Sequence, residues 1–161
     1  MENESKSLII AGAILLSILI ISVGILIYNN SVGASKDDIA SEALEMQLMQ
    51  FNKQYEMYEG IQNSNNVKQL LNIASQNNTE LCKSEDTKEL CVSIRSTSKK
   101  ILSNVKNSYV KYALSSRDHG LRYPKNIKEI ASYLGDNDKY NISFEYNRYG
   151  YIWEIWINDI N

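Results

Sequence analysis

The stretch that decides the fold is Tyr140–Ile157, with the sequence YNISFEYNRYGYIWEIWI. Large apolar residues alternate with polar ones in its first half, and aromatic residues at this period of two are typical of a β-strand. Asn147–Gly150 then predict a turn, in which a glycine takes a positive φ at no steric cost. The second half is apolar on both sides, so we expect it in the centre of a sheet.

Both tryptophans of the chain, Trp153 and Trp156, lie in this second half. Side chains three residues apart in a strand point to opposite faces, so one indole should be more exposed than the other. Exposed aromatic rings with a polar edge are frequent contacts with partners. Trp153 and Trp156 are therefore candidate partner contacts.

The segments before this hairpin carry shorter signals. Leu90–Thr97 alternates as a short strand, and Pro124–Leu134 predicts a helix that begins at the proline and ends before Gly135. Lys99–Leu114 fits a helix and also fits a strand. Asp136–Asp138 predicts a polar turn that could hold a cation only weakly, because calcium requires six to eight oxygen ligands.

Two amphipathic helices are predicted further upstream. The first begins at Ser35 or Asp37 and ends at Gly60, and it carries a continuous apolar stripe. The second is capped by Ser64 and stopped by Asn77–Asn78. The linking GIQNSNN predicts a polar turn, which makes a helical hairpin. The stripe could bind a partner helix, but packing within its own domain is favoured because fewer than four heptads are present.

An apolar run without any charged residue extends over Leu8–Tyr28. About 20 such residues match the roughly 30 Å hydrocarbon core of a bilayer, so we predict a transmembrane helix at residues 8–28. It follows a tail at 1–7 and precedes a linker at 29–36 and one domain at 37–161. The sparse Lys and Arg residues favour a cytoplasmic N-terminus and a domain outside. Cleavage of a signal peptide after Ala34 is the alternative, and it also places the domain outside.

Cys82 and Cys91 flank a short charged loop. Outside the cytoplasm such a pair forms a disulfide, whereas in a compartment without oxidants both would stay free thiols. We predict the Cys82–Cys91 disulfide. The pair is not expected to bind a metal, because the chain has no further cysteine and only one histidine.

Several residues outside these patterns carry a resemblance to a known family. They are the run Phe51-Asn52-x-x-Tyr55-Glu56-x-Tyr58-x-Gly60-x-Gln62, then Val67-Lys68-x-Leu70-Leu71, and the closing Gly150-Tyr151-Ile152 with Ile155-x-Ile157. Together they resemble a functionally uncharacterised family of small, single-pass, membrane-anchored extracytoplasmic bacterial proteins. The resemblance implies a fold and a location, without any chemistry. Residues 108–139 look like an insertion relative to that pattern.

The composition argues against most catalytic and nucleic-acid-binding classes. The net charge is −2 and the pI is near 5.5, so the clustered basic face of a nucleic-acid-binding protein is not expected. The sequence contains no Gly-rich phosphate loop, HExxH or CxxC motif. His119, beside Asp118 in a polar loop, is expected to be a solvated histidine rather than a general base. We therefore predict no catalytic residue, no cofactor and no metal.

These observations predict an α+β protein in which helices pack on one face of an antiparallel sheet behind a transmembrane helix. Its expected role is non-enzymatic, as a binding or structural component of the envelope or of a membrane complex. Its expected partners are membrane lipid, through residues 8–28, and another membrane or envelope protein. A pilin-like assembly subunit is the first alternative, and it predicts cleavage just before the apolar run. An extracytoplasmic hydrolase is the second, and it requires His119 beside a carboxylate and a hydroxyl in a cleft.

Overall fold

A computed structural model describes residues 2–31, 37–84, 87–116 and 120–160. The chain divides into two compact units, Met1–Gln54 and Tyr55–Asn161.

The first unit is helical. Helix α1 extends over Glu2–Ser31, and helix α2 over Asp37–Glu56, of which the last two residues belong to the second unit. Gly24 of α1 packs so closely against the side chain of Gln47 in α2 that a Cβ at Gly24 would clash with it. Helix α2 ends four residues before Gly60, which takes a positive φ of 84°, whereas its predicted start at Ser35 or Asp37 borders residues 32–36, outside the described part of the chain.

Within the described part of the chain, no helix combines the length and the apolar composition that crossing a membrane requires. The transmembrane helix at residues 8–28 stays a prediction.

The second unit is built around a four-stranded sheet with the strand order β1-β3-β4-β2. The strands are β1 (Gly60–Asn63), β2 (Ser93–Ser96), β3 (Lys139–Tyr146) and β4 (Ile152–Asp159). Strands β3 and β4 form the predicted antiparallel hairpin, and β4 occupies the predicted central position. Gly150, in the connecting turn, has a φ of 84°.

The sheet is mixed, so the prediction of a purely antiparallel sheet is wrong. Strand β2 pairs in parallel with β4, from Ser93 opposite Glu154 to Ser96 opposite Ile157. A parallel pair requires a long crossover, and the helices between β2 and β3 together with β3 itself supply one. The coarser prediction of an α+β fold is confirmed.

Strand β1 replaces the turn that GIQNSNN predicted. Its four residues pair antiparallel with β3, from Gly60 opposite Ile142 to Asn63 opposite Lys139. The segment is polar apart from Ile61, whose side chain is exposed. An edge strand of this kind is held by main-chain hydrogen bonds to its neighbour, which a polar sequence does not reveal.

The described part of the second unit also contains four helices and two 3₁₀ turns. They are α3 (Ser64–Leu81), a 3₁₀ turn (Lys88–Leu90), α4 (Lys99–Asn104), α5 (Ser108–Ser115), α6 (Pro124–Ile130) and a second 3₁₀ turn (Ala131–Tyr133). The helix that begins at Pro124 is confirmed. The ambiguous segment at 99–114 forms two short helices, each capped by the side chain of the residue before it, Ser98 and Asn107.

Helix α3 differs from its prediction at both ends. Asn63, rather than Ser64, accepts the capping hydrogen bond from the main-chain N–H of Asn66. Ser64 instead donates to the main-chain carbonyls of Gly135 and Asp138. Asn77 and Asn78 do not stop the helix, because their amide groups are buried and bonded to distant parts of the unit.

The core lies on the face of the sheet that carries the isoleucines of its central strands. Helix α3 contacts β1, β3 and α6, and its buried side chains include Val67, Leu70 and Leu71. At the edge beyond β2, Leu121 forms an antiparallel bridge with Ile94. This bridge holds the segment that leads into α6 against the edge of the sheet.

Candidate functional site

Two adjoining clefts open on the surface of the second unit. The first, here called the hairpin cleft, has a volume of about 700 Å³ and is lined by Lys88, Arg122, Tyr146, Asn147, Arg148, Tyr149 and Trp153. The second, here called the disulfide cleft, has a volume of about 650 Å³ and is lined by Cys82, Lys88, Cys91, Tyr109, Tyr112, Ala113, Gly120, Arg122 and Tyr123. Lys88 and Arg122 line both clefts.

The cysteine pair forms part of the wall of the second cleft. Cys82 and Cys91 are joined at disulfide distance, with their Cα atoms 5.7 Å apart. The pair closes the segment that holds the first 3₁₀ turn, in which Lys88 lies. Thr87 Oγ1 also donates to the carbonyl of Leu81, with 2.6 Å between the oxygens, and so ties this segment to the end of α3. The cysteine pair and this hydrogen bond therefore hold the segment that carries Lys88 in place.

Arg122 is positioned by the buried amide of Asn78. Asn78 Nδ2 lies 2.8 Å from the carbonyl oxygen of Arg122 and 2.7 Å from that of Val92, and it donates to both. Asn78 Oδ1 accepts from the N–H of Val92 at 2.9 Å. The next residue back, Leu121, exchanges two main-chain hydrogen bonds with Ile94. The backbone of Arg122 is thus fixed while its guanidinium side chain stays exposed.

The turn between β3 and β4 presents the aromatic part of the hairpin cleft. Asn147 Oδ1 accepts from the N–H groups of Tyr149 and Tyr151, at 2.9 and 3.0 Å, and so fixes the shape of the turn. The guanidinium carbon of Arg148 lies 4.6 Å from the centre of the Tyr149 ring, a cation–π contact. Trp153 follows at the start of β4.

Exposed tyrosines are concentrated at these clefts. Between Tyr55 and Ile160 the described tyrosines with exposed rings are Tyr109, Tyr112, Tyr123, Tyr146 and Tyr149, with exposed fractions of 48–65%. All five line one cleft or the other. A scatter of single exposed rings is normal on a protein surface, so this cluster makes the two clefts the candidate interaction site.

The charge of the lining is one-sided. Lys88, Arg122 and Arg148 contribute cations, and among the lining residues that the structure describes there is no carboxylate. No described acidic side chain forms an ion pair with Arg122. One carboxylate does reach the rim, because Glu56 Oε1 accepts a hydrogen bond of 3.1 Å from the hydroxyl of Tyr146. Burial and this bond raise the pKa of Tyr146 above its ordinary value of 10.0.

The two candidate tryptophans have different surroundings. Both are half-buried, and Trp153 lines the hairpin cleft. Trp156 stacks instead with Arg95, whose guanidinium carbon lies 5.3 Å from the ring centre, and its Nε1 donates to Glu145. Of the two candidates, Trp153 is therefore the one that the structure brings to a concave site.

A buried ion pair lies beside Trp156. Arg95 Nε faces Glu154 Oε1, and both side chains are almost fully buried. Removal from water raises the pKa of the Glu154 carboxyl above its ordinary value, while the guanidinium of Arg95 opposes that shift. Because both groups are occupied with each other and screened from solvent, we assign this pair a structural role.

The other residues considered from the sequence do not join the clefts. Asp118 and His119 lie outside the described residues. Asp136 and Asp138 form ion pairs with Lys68 and Lys100, so the polar turn serves to connect elements. Across the described ranges, no group of three or more His, Cys, Asp or Glu side chains could hold a metal ion.

Comparisons with known proteins give no relative for this chain. No protein-family model, no curated protein and no solved structure matches it. The resemblance of the helical segments and the closing hairpin to small membrane-anchored bacterial proteins stays a prediction.

The sequence indicated only part of this site. Residue type singled out Trp153 and the cysteine pair, whereas no sequence pattern singled out the tyrosines. They come from α5, from the segment before α6, from the end of β3 and from the β3–β4 turn, and the first two are distant in sequence from the last two. The useful signal would have been the position of each tyrosine on its own element, since Tyr109 and Tyr112 share one face of α5.

Proposed function

We propose that this chain is a membrane-anchored binding protein without enzymatic activity, whose domain at residues 37–161 acts outside the cytoplasm. The observation that carries the proposal is the gathering of all five exposed tyrosines described in the second unit, together with Lys88 and Arg122, around two adjoining clefts. Such rings offer a large contact area with few rotatable bonds, which makes them efficient in binding.

The chemistry of the lining favours binding over catalysis. General acid–base catalysis requires a group that exchanges a proton near neutral pH, most often an imidazole or a carboxylate. The described lining residues supply phenols, an indole and cations instead. These groups hold and orient a ligand.

The membrane anchor is supported by the sequence of α1. Its apolar part has no charged residue over Leu8–Tyr28, and Ile9, Leu15, Leu16 and Leu19 have exposed fractions of 60–71%. Apolar side chains exposed at this density require a cover of lipid or of a partner protein in the membrane or envelope. Insertion would also require Gln47 to leave Gly24, because an amide in hydrocarbon is costly.

A location outside the cytoplasm is supported by the cysteine pair. Disulfides persist in oxidising compartments and are rare in the cytosol. Cys82 and Cys91 are placed at disulfide distance within the second unit.

Extraction of membranes tests the anchor. The full chain should stay in the membrane pellet after washes with high salt and with alkaline carbonate, whereas a variant without residues 8–28 should not. Protease added to intact cells should digest the domain at residues 37–161. Release of the full chain by carbonate, or full protection from protease, would contradict the anchored, outward-facing arrangement.

Photo-cross-linking tests whether the clefts are the binding site. We would place p-benzoylphenylalanine at Tyr149 in the hairpin cleft and, separately, at Tyr112 in the disulfide cleft. The control position is Ile61, which is exposed on the opposite edge strand β1. Irradiation of intact cells should yield adducts from the two cleft positions and not from the control. Adducts from none of the three, or equally from all three, would refute the assignment of the site.

A further inference from the structure

We infer that the ligand is an extended anionic glycan, a chain of sugar rings bearing phosphate or carboxylate groups, which runs through both clefts. This inference rests on the proposed function, because it takes the clefts to be the binding site. The geometry and the chemistry of the lining residues indicate which class of ligand this site would bind.

The shape of the site favours a chain over a single small molecule. Each cleft, at about 700 and about 650 Å³, has the size of a complete small-ligand pocket. Because Lys88 and Arg122 line both clefts, the two volumes adjoin along these side chains. A ligand that contacts both clefts must therefore be long, and a polymer with repeating units meets this condition.

The charge of the site favours anionic groups on that chain. Arg122 lies where the clefts meet, with its backbone fixed by Asn78 and its side chain exposed. A guanidinium group binds phosphate and carboxylate through two parallel hydrogen bonds, which gives direction as well as attraction. Lys88 adds a second cation at the same junction.

The aromatic groups favour sugar rings between the anionic groups. Tyr149 and Trp153 in one cleft, and Tyr109 and Tyr112 in the other, provide flat faces with polar edges. A sugar ring matches this pattern, because it has an apolar C–H face surrounded by hydroxyl groups. Aromatic faces also stack on nucleic-acid bases, but such grooves carry a basic track along the whole strand. The described cations of the lining, Lys88, Arg122 and Arg148, lie instead at the junction of the clefts and at the hairpin turn.

Calorimetric titration of the full chain tests the inference, in micelles of a polyoxyethylene detergent that contains no sugar. The probes are phosphorylated dextran, polygalacturonate, unmodified dextran and oligothymidylate. We expect at least one of the two anionic glycans to bind, with neutral dextran and oligothymidylate at least tenfold weaker. The first two probes also distinguish a phosphate-bearing ligand from a carboxylate-bearing one. Binding should weaken as the salt concentration rises, since exposed charges are screened.

Matched variants test the path through both clefts. Arg122→Gln should weaken binding of the anionic glycan about tenfold, as expected for a central binding residue. Trp153→Ala and Tyr112→Ala, one in each cleft, should each weaken it about fivefold or more. Lys139→Gln, which removes an exposed cation at the far end of β3, should change it less than twofold. Circular dichroism of each variant checks that the fold is retained.

The outcomes separate the ligand class from the proposed function. The inference is overturned if neither anionic glycan binds, if dextran or oligothymidylate binds as tightly, or if only one cleft variant weakens binding. Cross-links from Tyr149 and Tyr112 would in that case leave the binding function in place with another ligand. Absence of those cross-links would remove the binding function itself.

Discussion

At the scale of single residues, Asn78 links the core to the candidate site. Its side chain satisfies both main-chain groups of Val92 and the carbonyl of Arg122, and it is almost fully buried. The sequence suggested a helix stop here, because asparagine is common at helix ends. Its partners lie 14 and 44 residues away, so no local pattern could have revealed them. Trp153, by contrast, was identifiable as a contact candidate from residue type and strand position alone.

Replacement of Asn78 should therefore lower the stability of the protein and loosen the backbone of Arg122 at the clefts. Asn78→Ala should lower the free energy of unfolding by about 2–4 kcal/mol, because it leaves buried main-chain groups without partners. Urea unfolding of the full chain in nonionic detergent measures this change. Asn72→Ala, an exposed position on the same helix, is the control and should change the stability by less than about 0.5 kcal/mol. Equal stability of the two variants would show that the Asn78 bonds contribute little.

At the scale of elements, the sequence was informative where one element carried its own periodic pattern. The β3–β4 hairpin could be predicted because its side chains alternate within a short segment. The helix at Pro124 could be predicted because a proline fits the first position of a helix. Strand β1 could not, since its pairing with β3 uses main-chain groups that every polar segment possesses. The parallel pairing of β2 with β4 was also missed, because it is decided by the path of the helices between them.

The prediction at the scale of elements concerns the loop that Cys82 and Cys91 close. The double variant Cys82→Ala, Cys91→Ala should lower the free energy of unfolding by about 2–3 kcal/mol, because the unfolded chain regains the freedom of the closed loop. It should also weaken ligand binding, since the loop presents Lys88 to both clefts. Mass mapping without reductant should find Cys82 linked to Cys91 in the wild-type protein. Free thiols in freshly isolated material would contradict this expectation.

At the scale of the whole molecule, the sequence predicted an α+β class, and the structure has it. The division of the chain after Gln54 was not visible in the sequence, because α2 continues without interruption through that position. The clefts were not visible either, since they exist only where α5, the first 3₁₀ turn and the hairpin turn meet. Sites built from several elements depend on tertiary structure, which local patterns do not contain.

The proposed tether makes a prediction about the chain without its apolar helix. Residues 35–161 expressed alone should fold into a soluble, monodisperse domain, because the buried side chains of the sheet and of α3 all lie within this range. A cooperative thermal transition and a well-dispersed NMR spectrum would support this. An unfolded or aggregated product would mean that residues 1–34 or a partner supply part of the core.

The central position of β4 has a consequence for the order of events during synthesis. Strand β2 leaves the ribosome about 60 residues before β4, its neighbour in the sheet, because Ser96 and its hydrogen-bond partner Ile157 are 61 residues apart in the sequence. Until β4 arrives, β1 and β3 can pair only with each other, and β2 has no strand beside it apart from the bridge at Leu121. The sheet therefore closes in one late step, which is slow because its contacts are distant in sequence. The proposed location outside the cytoplasm fits this order, because the sheet stays open until β4 has been synthesised.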